Sequence, residues 1–348
     1  MLTTLDGVKT RPDDLHDEQL RTGLLAYGLT AASLAYAPVG FGDHHWTATD
    51  PDGRRWFLTV ADLAHKSHCG PDPDSALLGL RAAMSTARSL RHLGLLVAPL
   101  ATPDGETALR LTPRYALSVF PYASGTPGGF FDRLAPADRR LLLDALSRLH
   151  TTAPPPGTPV HHPGLSGRPR LDAALASLTT PWATGPYAEP ARTLTATHLP
   201  ALRRALAHLD RTTEALTSVP GVVTHGEPHP GNLLRHPDHV LLVDWDTVAL
   251  ATPERDLWLL DPTPADLARY TATTGHPRRP RRPRPLPPPL GPGGHRRLPP
   301  LVPRPPHRRH RHPGLLDRLH RHPRRARHRP PHRNPVEPVT SRLPHWVP

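Results

Sequence analysis

Three side chains between positions 227 and 244 have the types and the spacing that phosphoryl transfer from MgATP requires. The segment HGEPHPGN contains the carboxylate of Glu227 and, five residues later, the carboxamide of Asn232. A second carboxylate, Asp244, follows the apolar run VLLV. Phosphoryl transfer uses a carboxylate that accepts the hydroxyl proton, together with an Asn and an Asp that bind the metal ions. The pattern therefore predicts Glu227 as the catalytic residue and Asn232 and Asp244 as ligands of Mg²⁺.

Two short apolar segments flank this loop and must position it. Residues 222–224 are largely β-branched, and residues 240–243 form a second apolar run. A polar loop rich in Pro and Gly between two such segments is typical of a strand–loop–strand unit. We therefore expect a hairpin-like platform that presents the loop.

The histidines of the loop raise a zinc site as an alternative. His225 and His229 form an HxxxH pair, and His225 with Glu227 forms an H-x-E motif. A zinc deaminase would also need a P-C-x-x-C segment, and Cys69 is the single cysteine of the chain. The loop therefore favours phosphoryl transfer over zinc chemistry.

The motif pair HGEPHPGNLL and LLVDWD resembles the catalytic loop and the metal-binding segment of the aminoglycoside phosphotransferase family. The usual family form is HGDxHxGNxL, followed by an apolar strand and a D-W/F-G/D turn. The later segment ERDL, which contains Asp256, resembles the short acidic segment of that family, and the order of elements over residues 30–260 also fits.

The resemblance implies an α+β, bilobal, protein-kinase-like fold. Its parts would be a small β-rich N-lobe over residues 1–123, a mainly helical C-lobe over residues 124–275, and a disordered basic tail over residues 276–348. The implied cofactors are ATP and Mg²⁺, and the implied partner is a small hydroxyl-bearing molecule such as an aminoglycoside-like antibiotic. Choline, homoserine or a sugar are acceptors in the same family. His225 would be structural, and Asp256 would support the catalytic loop.

The nucleotide contacts that the resemblance implies lie in the N-lobe. Gly40 and Gly42 flank a turn where the loop over the phosphates would lie, because glycine lets the backbone approach an anion closely. Phe120 and Tyr122 lie where the hinge would receive adenine. An ordinary tight turn and an ordinary strand end are equally compatible with these segments.

The chain departs from the family pattern in three respects: the residue at position 227, a missing Lys–Glu pair and missing C-terminal helices. Thr59 stands where the third strand should carry a phosphate-binding Lys, and the following helix contains no Glu to pair with one. Lys66, one of two lysines in the chain, could reach the phosphates from the loop after the third strand, but we interpret it as a solvated loop residue. Glu227 replaces Asp, which moves the carboxylate about 1 Å outward, and a displacement of that size can cost roughly a hundredfold in rate. An inactive pseudokinase or a truncated remnant is therefore an alternative function.

Apolar periodicity predicts the remaining elements. It predicts helices over residues 12–27, 75–92, 136–150, 170–178 and 191–216, and strands over residues 36–42, 45–50, 54–61, 97–100 and 115–122.

Charge divides the chain into two unlike parts. The net charge is +13, yet residues 276–348 alone contain 19 Arg and two acidic residues and carry +17, so the remaining body carries −4. A mildly acidic body does not repel a polycationic acceptor. One cysteine and no apolar N-terminal run argue against secretion and a membrane span, so we expect a cytoplasmic protein.

The tail over residues 276–348 is rich in Arg, Pro and His and has no sustained periodicity. Such a segment cannot bury enough apolar surface to offset the entropy of ordering. One hypothesis is a shifted reading frame of a GC-rich gene, in place of helices that would line the acceptor pocket. The other is a basic arm that contacts nucleic acid through its phosphates, and we expect nucleic-acid binding only through this tail.

Overall fold

The computed structural model describes residues 10–40, 42–130, 132–165, 167–217 and 219–276, so the predicted tail lies outside the described residues. The helices are α1 (Asp17–Ala26), α2 (Pro73–Ser89), α3 (Pro136–His150), α4 (Arg168–Ala176), α5 (Ala188–Thr217), α6 (Glu254–Leu257) and α7 (Pro264–Thr274). The strands are β1 (Ser33–Ala37), β2 (His44–Thr49), β3 (Arg55–Asp62), β4 (Leu109–Arg110), β5 (Tyr115–Pro121), β6 (Thr126–Pro127), β7 (Val222–Thr224), β8 (Leu233–Arg235), β9 (Val240–Leu242) and β10 (Ala249–Ala251).

A five-stranded antiparallel sheet forms the N-terminal part, in the order β1-β2-β3-β5-β4. Alternate residues of β2 and β3 point to opposite faces, which is the two-residue period of a strand. On one face Trp46 and Leu58 are buried with Leu20 and Leu24 of α1. This apolar layer fixes the register of the sheet, because a slip of one residue would turn every buried side chain to the other face.

Helix α2 packs its apolar side into a second core. It begins at Pro73, where the side chain of Asp72 accepts hydrogen bonds from two backbone N–H groups, an arrangement that stabilises a helix start. Leu77, Leu80 and Met84 recur at helical spacing and are buried in the same core as residues of α3. The helix contains no Glu, as the sequence shows.

Helix α3 spans the predicted range, from Pro136 to His150. Its apolar side, which includes Leu142, Leu146 and Leu149, is buried against β7, β9 and α7. A single apolar stripe of this kind determines the helix strongly, and Pro at the first position marks its start. This helix is the scaffold on which the catalytic loop rests.

The predicted hairpin-like platform is wrong in its pairing. β7 pairs with β10, whereas the run before Asp244 pairs, as β9, with the unpredicted strand β8. β8 and β9 are joined by residues 236–239 only, and closing a short loop costs less entropy than closing a longer one. The two strands that flank the catalytic loop therefore belong to different sheets, and the loop crosses between them.

The predicted strand over residues 97–100 is also wrong. This segment is extended but makes only single contacts with strands, since Val97 N donates to Leu242 O and Leu100 N donates to Val119 O. Pro99 lies between them and has no N–H to donate to a ladder.

The two helices before the catalytic loop are only partly buried. Leu199, Leu202, Leu206 and Leu209 lie on one side of α5, as the periodicity predicts, and all are half-buried. Arg168 of α4 pairs with Asp210 of α5 at 2.7 Å. None of the helices in the described ranges is both long enough and apolar enough to cross a membrane.

Candidate active site

The predicted catalytic loop (residues 225–232) and the predicted metal-binding segment (residues 240–246) are joined by two hydrogen bonds. The amide nitrogen Nδ2 of Asn232 donates to the backbone oxygen of Glu227 at 3.0 Å. The backbone oxygen of Asn232 accepts from the N–H of Val243 at 3.0 Å, and Val243 immediately precedes Asp244. Through these two bonds of Asn232, the structure connects the backbone of Glu227 with the strand end that carries Asp244. Because Nδ2 of Asn232 is used inside the loop, its Oδ1 remains for a ligand.

Asp244 has a backbone conformation that few residues adopt. Its φ angle is 65°, in the left-handed region. In the described ranges, the other non-glycine residue with a positive φ angle is Asp261. Desolvation of its carboxylate and the nearby carboxylate of Asp246 raise the pKa of Asp244 well above its usual value, although the residue as a whole is exposed. A bound cation would relieve this repulsion, so the position suits a metal ligand.

Glu227 is exposed, and in the described ranges its carboxylate makes no hydrogen bond to the protein. It is close enough to Asp244 for the two negative charges to interact. An exposed carboxylate next to the metal-binding segment can accept a proton from a hydroxyl that enters from solvent.

His225 has a structural role, as predicted. It is fully buried, its Nε2 lies 2.9 Å from the backbone oxygen of Val243, and its ring packs edge-on against Trp245. Nδ1 accepts a hydrogen bond from the N–H of Glu227 at 3.3 Å. Burial lowers the pKa of His225 to about 4, so the ring is neutral at pH 7. Both ring nitrogens are occupied within the protein, which leaves none for zinc.

Asp256 supports the loop from below, also as predicted. Its fully buried carboxylate accepts hydrogen bonds from the N–H of His225 at 2.8 Å and the N–H of Gly226 at 2.6 Å. His150 of α3 contacts the same carboxylate at 3.0 Å and Tyr270 of α7 at 2.7 Å. Burial alone would raise the pKa of Asp256, but the hydrogen bond from His150 and the backbone N–H groups lower it overall. The carboxylate therefore stays charged.

Gly226 makes room for an arginine beneath the loop. Its φ angle is 101°, and a Cβ at this position would lie 2.3 Å from a guanidinium nitrogen of Arg255. That guanidinium donates to the hydroxyl of Thr224 and the backbone oxygen of Thr247, both at 2.8 Å. The glycine is required by the close approach and by the left-handed backbone.

The interpretation of Lys66 as a solvated loop residue is wrong. Only 9% of its side chain is exposed, and its ammonium pairs with Asp246 and, at 2.7 Å, with Asp43. Burial disfavours the charged form, but the carboxylates of Asp43 and Asp246 raise the pKa of Lys66 well above its usual value. The sequence contained one clue: Lys66 is the lysine nearest to a third strand that lacks one.

Asp246 is committed to ion pairs. Besides Lys66, its carboxylate contacts Nε2 of His68 at 3.0 Å, and its backbone oxygen accepts from the thiol of Cys69 at 3.6 Å. Burial would raise the pKa of Asp246, but Lys66 and His68 lower it strongly. Conversely, the hydrogen bond to Asp246 raises the pKa of His68 to about 10. Asp246 is therefore less suited than Asp244 to bind a metal ion.

The turn between β1 and β2 leads into Asp43, the second partner of Lys66. Gly40 and Gly42 both have left-handed φ angles, of 76° and 90°, and a Cβ on Gly42 would meet no atom within 4 Å. Asp43 follows directly, is buried, and has an oxygen, Oδ1, without a hydrogen-bond partner. A Cβ on Gly40 would instead lie 3.1 Å from Nε2 of His45, so the open space is at Gly42. The phosphate contact of the two glycines stays a prediction.

Two residues of the predicted hinge lie at the end of β5. Phe120 is buried in the core, and the ring of Tyr122 lies 3.6 Å beneath the guanidinium of Arg55. The N–H of Tyr122 donates to the backbone oxygen of Arg55 at 3.1 Å. Of the backbone groups of Tyr122, the carbonyl is the one left to contact a ligand. Their contact with adenine stays a prediction.

The donor set fits magnesium better than zinc. Oδ1 of Asn232 and the carboxylate of Asp244 are hard oxygen ligands, and Mg²⁺ is commonly held by one or two carboxylates plus substrate phosphates. Over the residues that the structure describes, no cluster of three or more His, Cys, Asp or Glu is arranged to hold a metal ion by itself. The site therefore suits a metal that arrives with its nucleotide.

An antiparallel sheet followed by a mainly helical part with this loop and metal segment defines a kinase-like fold. The solved structure of a spectinomycin phosphotransferase in complex with ADP and spectinomycin matches 76% of this chain and 82% of its own, with 16% identity and a TM-score of 0.54. The family model of the phosphotransferase enzyme family matches residues 33–286, and the chain belongs to this family. The resemblance and the fold class that the motifs predicted are thereby confirmed.

Other solved structures are similar at lower scores. An amicoumacin kinase in complex with AMP-PNP and Ca²⁺ is 15% identical, with 77% of each chain covered and a TM-score of 0.47. A choline kinase from Streptococcus pneumoniae is 14% identical, with 75% of this chain and 80% of that chain covered and a TM-score of 0.46. No curated protein matches the chain.

Proposed function

We propose that this protein transfers the γ-phosphoryl group of ATP to a hydroxyl group of a small molecule. The observation that carries the proposal is the frame that joins Glu227, Asn232 and Asp244 through the Nδ2 and backbone hydrogen bonds of Asn232. Residues placed in this way can hold an acceptor hydroxyl and a metal–nucleotide complex side by side, which is the main requirement of phosphoryl transfer.

Each side chain has a separate task. Asn232 and Asp244 would bind Mg²⁺, which when bound neutralises charge on the β- and γ-phosphates. Glu227 would orient the acceptor hydroxyl and accept its proton. The turn at Gly40 and Gly42 would cover the phosphates, and the chain at Phe120 and Tyr122 would border adenine.

The acceptor class is part of the proposal. Antibiotics with several hydroxyl and amino groups fit best, because the body of the chain has a net charge of −4 and does not repel a polycation. The neighbouring kinases act on molecules as different as spectinomycin and choline, so both kinds belong in the acceptor panel. We place the reaction in the cytoplasm, where MgATP is plentiful, and phosphorylation of an antibiotic there would confer resistance.

The test is a thermal-unfolding shift with ATP, with and without Mg²⁺, on the wild type and on Asp244→Ala. Ligand at about 100 times its Kd stabilises a protein by about 2.7 kcal/mol. We expect a Mg²⁺-dependent rise in Tm that Asp244→Ala removes. Asp261→Ala is the matched control, because Asp261 has the same left-handed backbone and 85% of its side chain is exposed. It should leave the shift unchanged.

A phosphate-transfer assay over the acceptor panel then separates the two remaining functions. Transfer to one acceptor class, lost in Glu227→Gln, supports the kinase. A nucleotide-dependent shift without transfer to any acceptor favours the pseudokinase alternative, in which the protein binds nucleotide but does not turn it over. Absence of any shift in the wild type contradicts the kinase and favours a truncated remnant that has lost nucleotide binding.

A further inference from the structure

Lys66 is held in the cleft at a considerable energetic cost. Its side chain is 9% exposed, and taking an ammonium group out of water costs several kcal/mol unless it is paired. Asp43 and Asp246 provide the pairing, one from each side of the cleft. A buried ion pair contributes little to stability compared with apolar packing, so its retention calls for a role other than stability.

The position of the ammonium points to that role. Asp43 ends the glycine turn between β1 and β2, and Asp246 comes two residues after the proposed metal ligand Asp244. Lys66 thus lies between the turn proposed to cover the phosphates and the segment proposed to bind their metal. Strand β3 offers no competing cation at Thr59, whose hydroxyl lies 3.3 Å from His45.

The two partners of Lys66 differ in how firmly they are held. The carboxylate of Asp246 also contacts His68, and its backbone accepts from Cys69, so Asp246 is fixed from several directions. Asp43 is only 5% exposed, bonds Lys66 through one oxygen, and has its other oxygen buried without a partner. Asp246 is therefore the permanent anchor, and Asp43 is the partner that can be exchanged.

From this arrangement, and on the basis of the proposed function, we infer that Lys66 contacts the nucleotide phosphates in place of a lysine on β3. Asp246 anchors its ammonium, as a Glu on α2 would otherwise do. Asp43 occupies the ammonium in the absence of nucleotide, and a phosphate oxygen replaces it on binding. Carboxylate and phosphate oxygens are equivalent acceptors for an ammonium group, which makes the exchange chemically simple.

The experiment compares the affinities of adenosine, MgADP and MgATP by calorimetry. Lys66→Met should weaken the two phosphate-bearing ligands by roughly 10- to 100-fold, the range for a charge-assisted hydrogen bond, and leave adenosine unchanged. Asp43→Asn should strengthen MgATP, by up to about tenfold, because the competing carboxylate is lost. Arg54→Met is the control, since it removes an exposed cation of the same lobe, and it should change none of the affinities.

Each result has a distinct meaning. Equal weakening of all three ligands by Lys66→Met would show a structural role and overturn the inference, as would no weakening. If Lys66→Met does not fold, Asp43→Asn decides alone: stronger MgATP binding supports the exchange, and unchanged or weaker binding overturns it. Wild-type protein that binds none of the ligands would overturn the proposed function together with this inference.

Discussion

The predicted catalytic loop is held by residues of α3 and α6, whereas Lys66 joins the turn after β1 to the segment after β9. Under the loop, Asp256, His150 and Arg255 make hydrogen bonds that are fully or partly buried, and none of them faces a ligand. On the other side, the ammonium of Lys66 forms hydrogen-bonded ion pairs with the carboxylates of Asp43 and Asp246. The difference teaches that one half of the site is built before any ligand arrives and the other half is adjusted by the ligand. Damage to the first should appear as lost stability, and damage to the second as lost nucleotide affinity.

The largest effect is expected when the support of the loop is removed. Asp256→Ala leaves His150 and the N–H groups of His225 and Gly226 without their acceptor inside the core. Breaking a buried charged network in this way costs about 3–5 kcal/mol. Urea unfolding followed by tryptophan fluorescence, to which Trp245 next to His225 contributes, measures the loss.

Glu254→Ala is the control for this change, because Glu254 is exposed and lies in the same helix. It should alter the free energy of unfolding by less than about 0.5 kcal/mol. Equal effects of the two substitutions would mean that the loop does not depend on Asp256.

Acid should loosen the same half of the site. Because burial lowers the pKa of His225 from 6.5 to about 4, the unfolded chain binds a proton between these pH values that the folded chain does not. The contribution of His225 to the free energy of unfolding should therefore be largest above pH 6.5 and fall by about 3 kcal/mol as the pH drops toward 4. Urea unfolding at a series of pH values measures the slope.

The variant His225→Gln isolates this contribution. Glutamine cannot take up a proton, so the fall between pH 6.5 and 4 should be smaller by about 3 kcal/mol than in the wild type, even though the variant is less stable throughout. A wild-type slope that persists in the variant would assign the acid sensitivity to other groups.

The smallest of the three effects concerns the space beneath the loop. Gly226→Ala and Gly53→Ala both place a side chain at a left-handed φ angle, 101° and 81°, but only the first also meets Arg255. We expect Gly226→Ala to cost about 2 kcal/mol more than Gly53→Ala, the range for forcing an extra methyl group into packed structure. Thermal unfolding of the two variants gives the difference directly, and equal losses would mean that Arg255 moves aside freely.

Local patterns in the sequence were sufficient for much of the site. Helix α3 begins and ends at the predicted residues, because one apolar stripe and a leading Pro136 determine it. The motif HGEPHPGN placed Glu227 and Asn232 on one loop, because their spacing is set by the chain itself. The roles of His225 and Asp256 followed from the resemblance to the family.

Long-range contacts were not accessible in the same way. Apolar periodicity shows that the strand residues Val222 and Val223 are buried, but not that their partner is β10. Lys66 was misread because its environment is set by Asp246, 180 residues later in the chain. A side chain of this kind looks like any loop lysine until the fold brings its partners together.

The hydrogen bond between His150 and Tyr270 has a consequence for where this protein can be shortened. Tyr270 is buried in α7, close to the end of the described residues, and it completes the chain of contacts that reaches the catalytic loop through Asp256. A fragment that stops before Tyr270 would lose the last link of that chain and half of α7. One that stops after Gly275, the left-handed residue that ends α7, would keep both. The shortest fragment that keeps this support of the loop should therefore extend to Gly275.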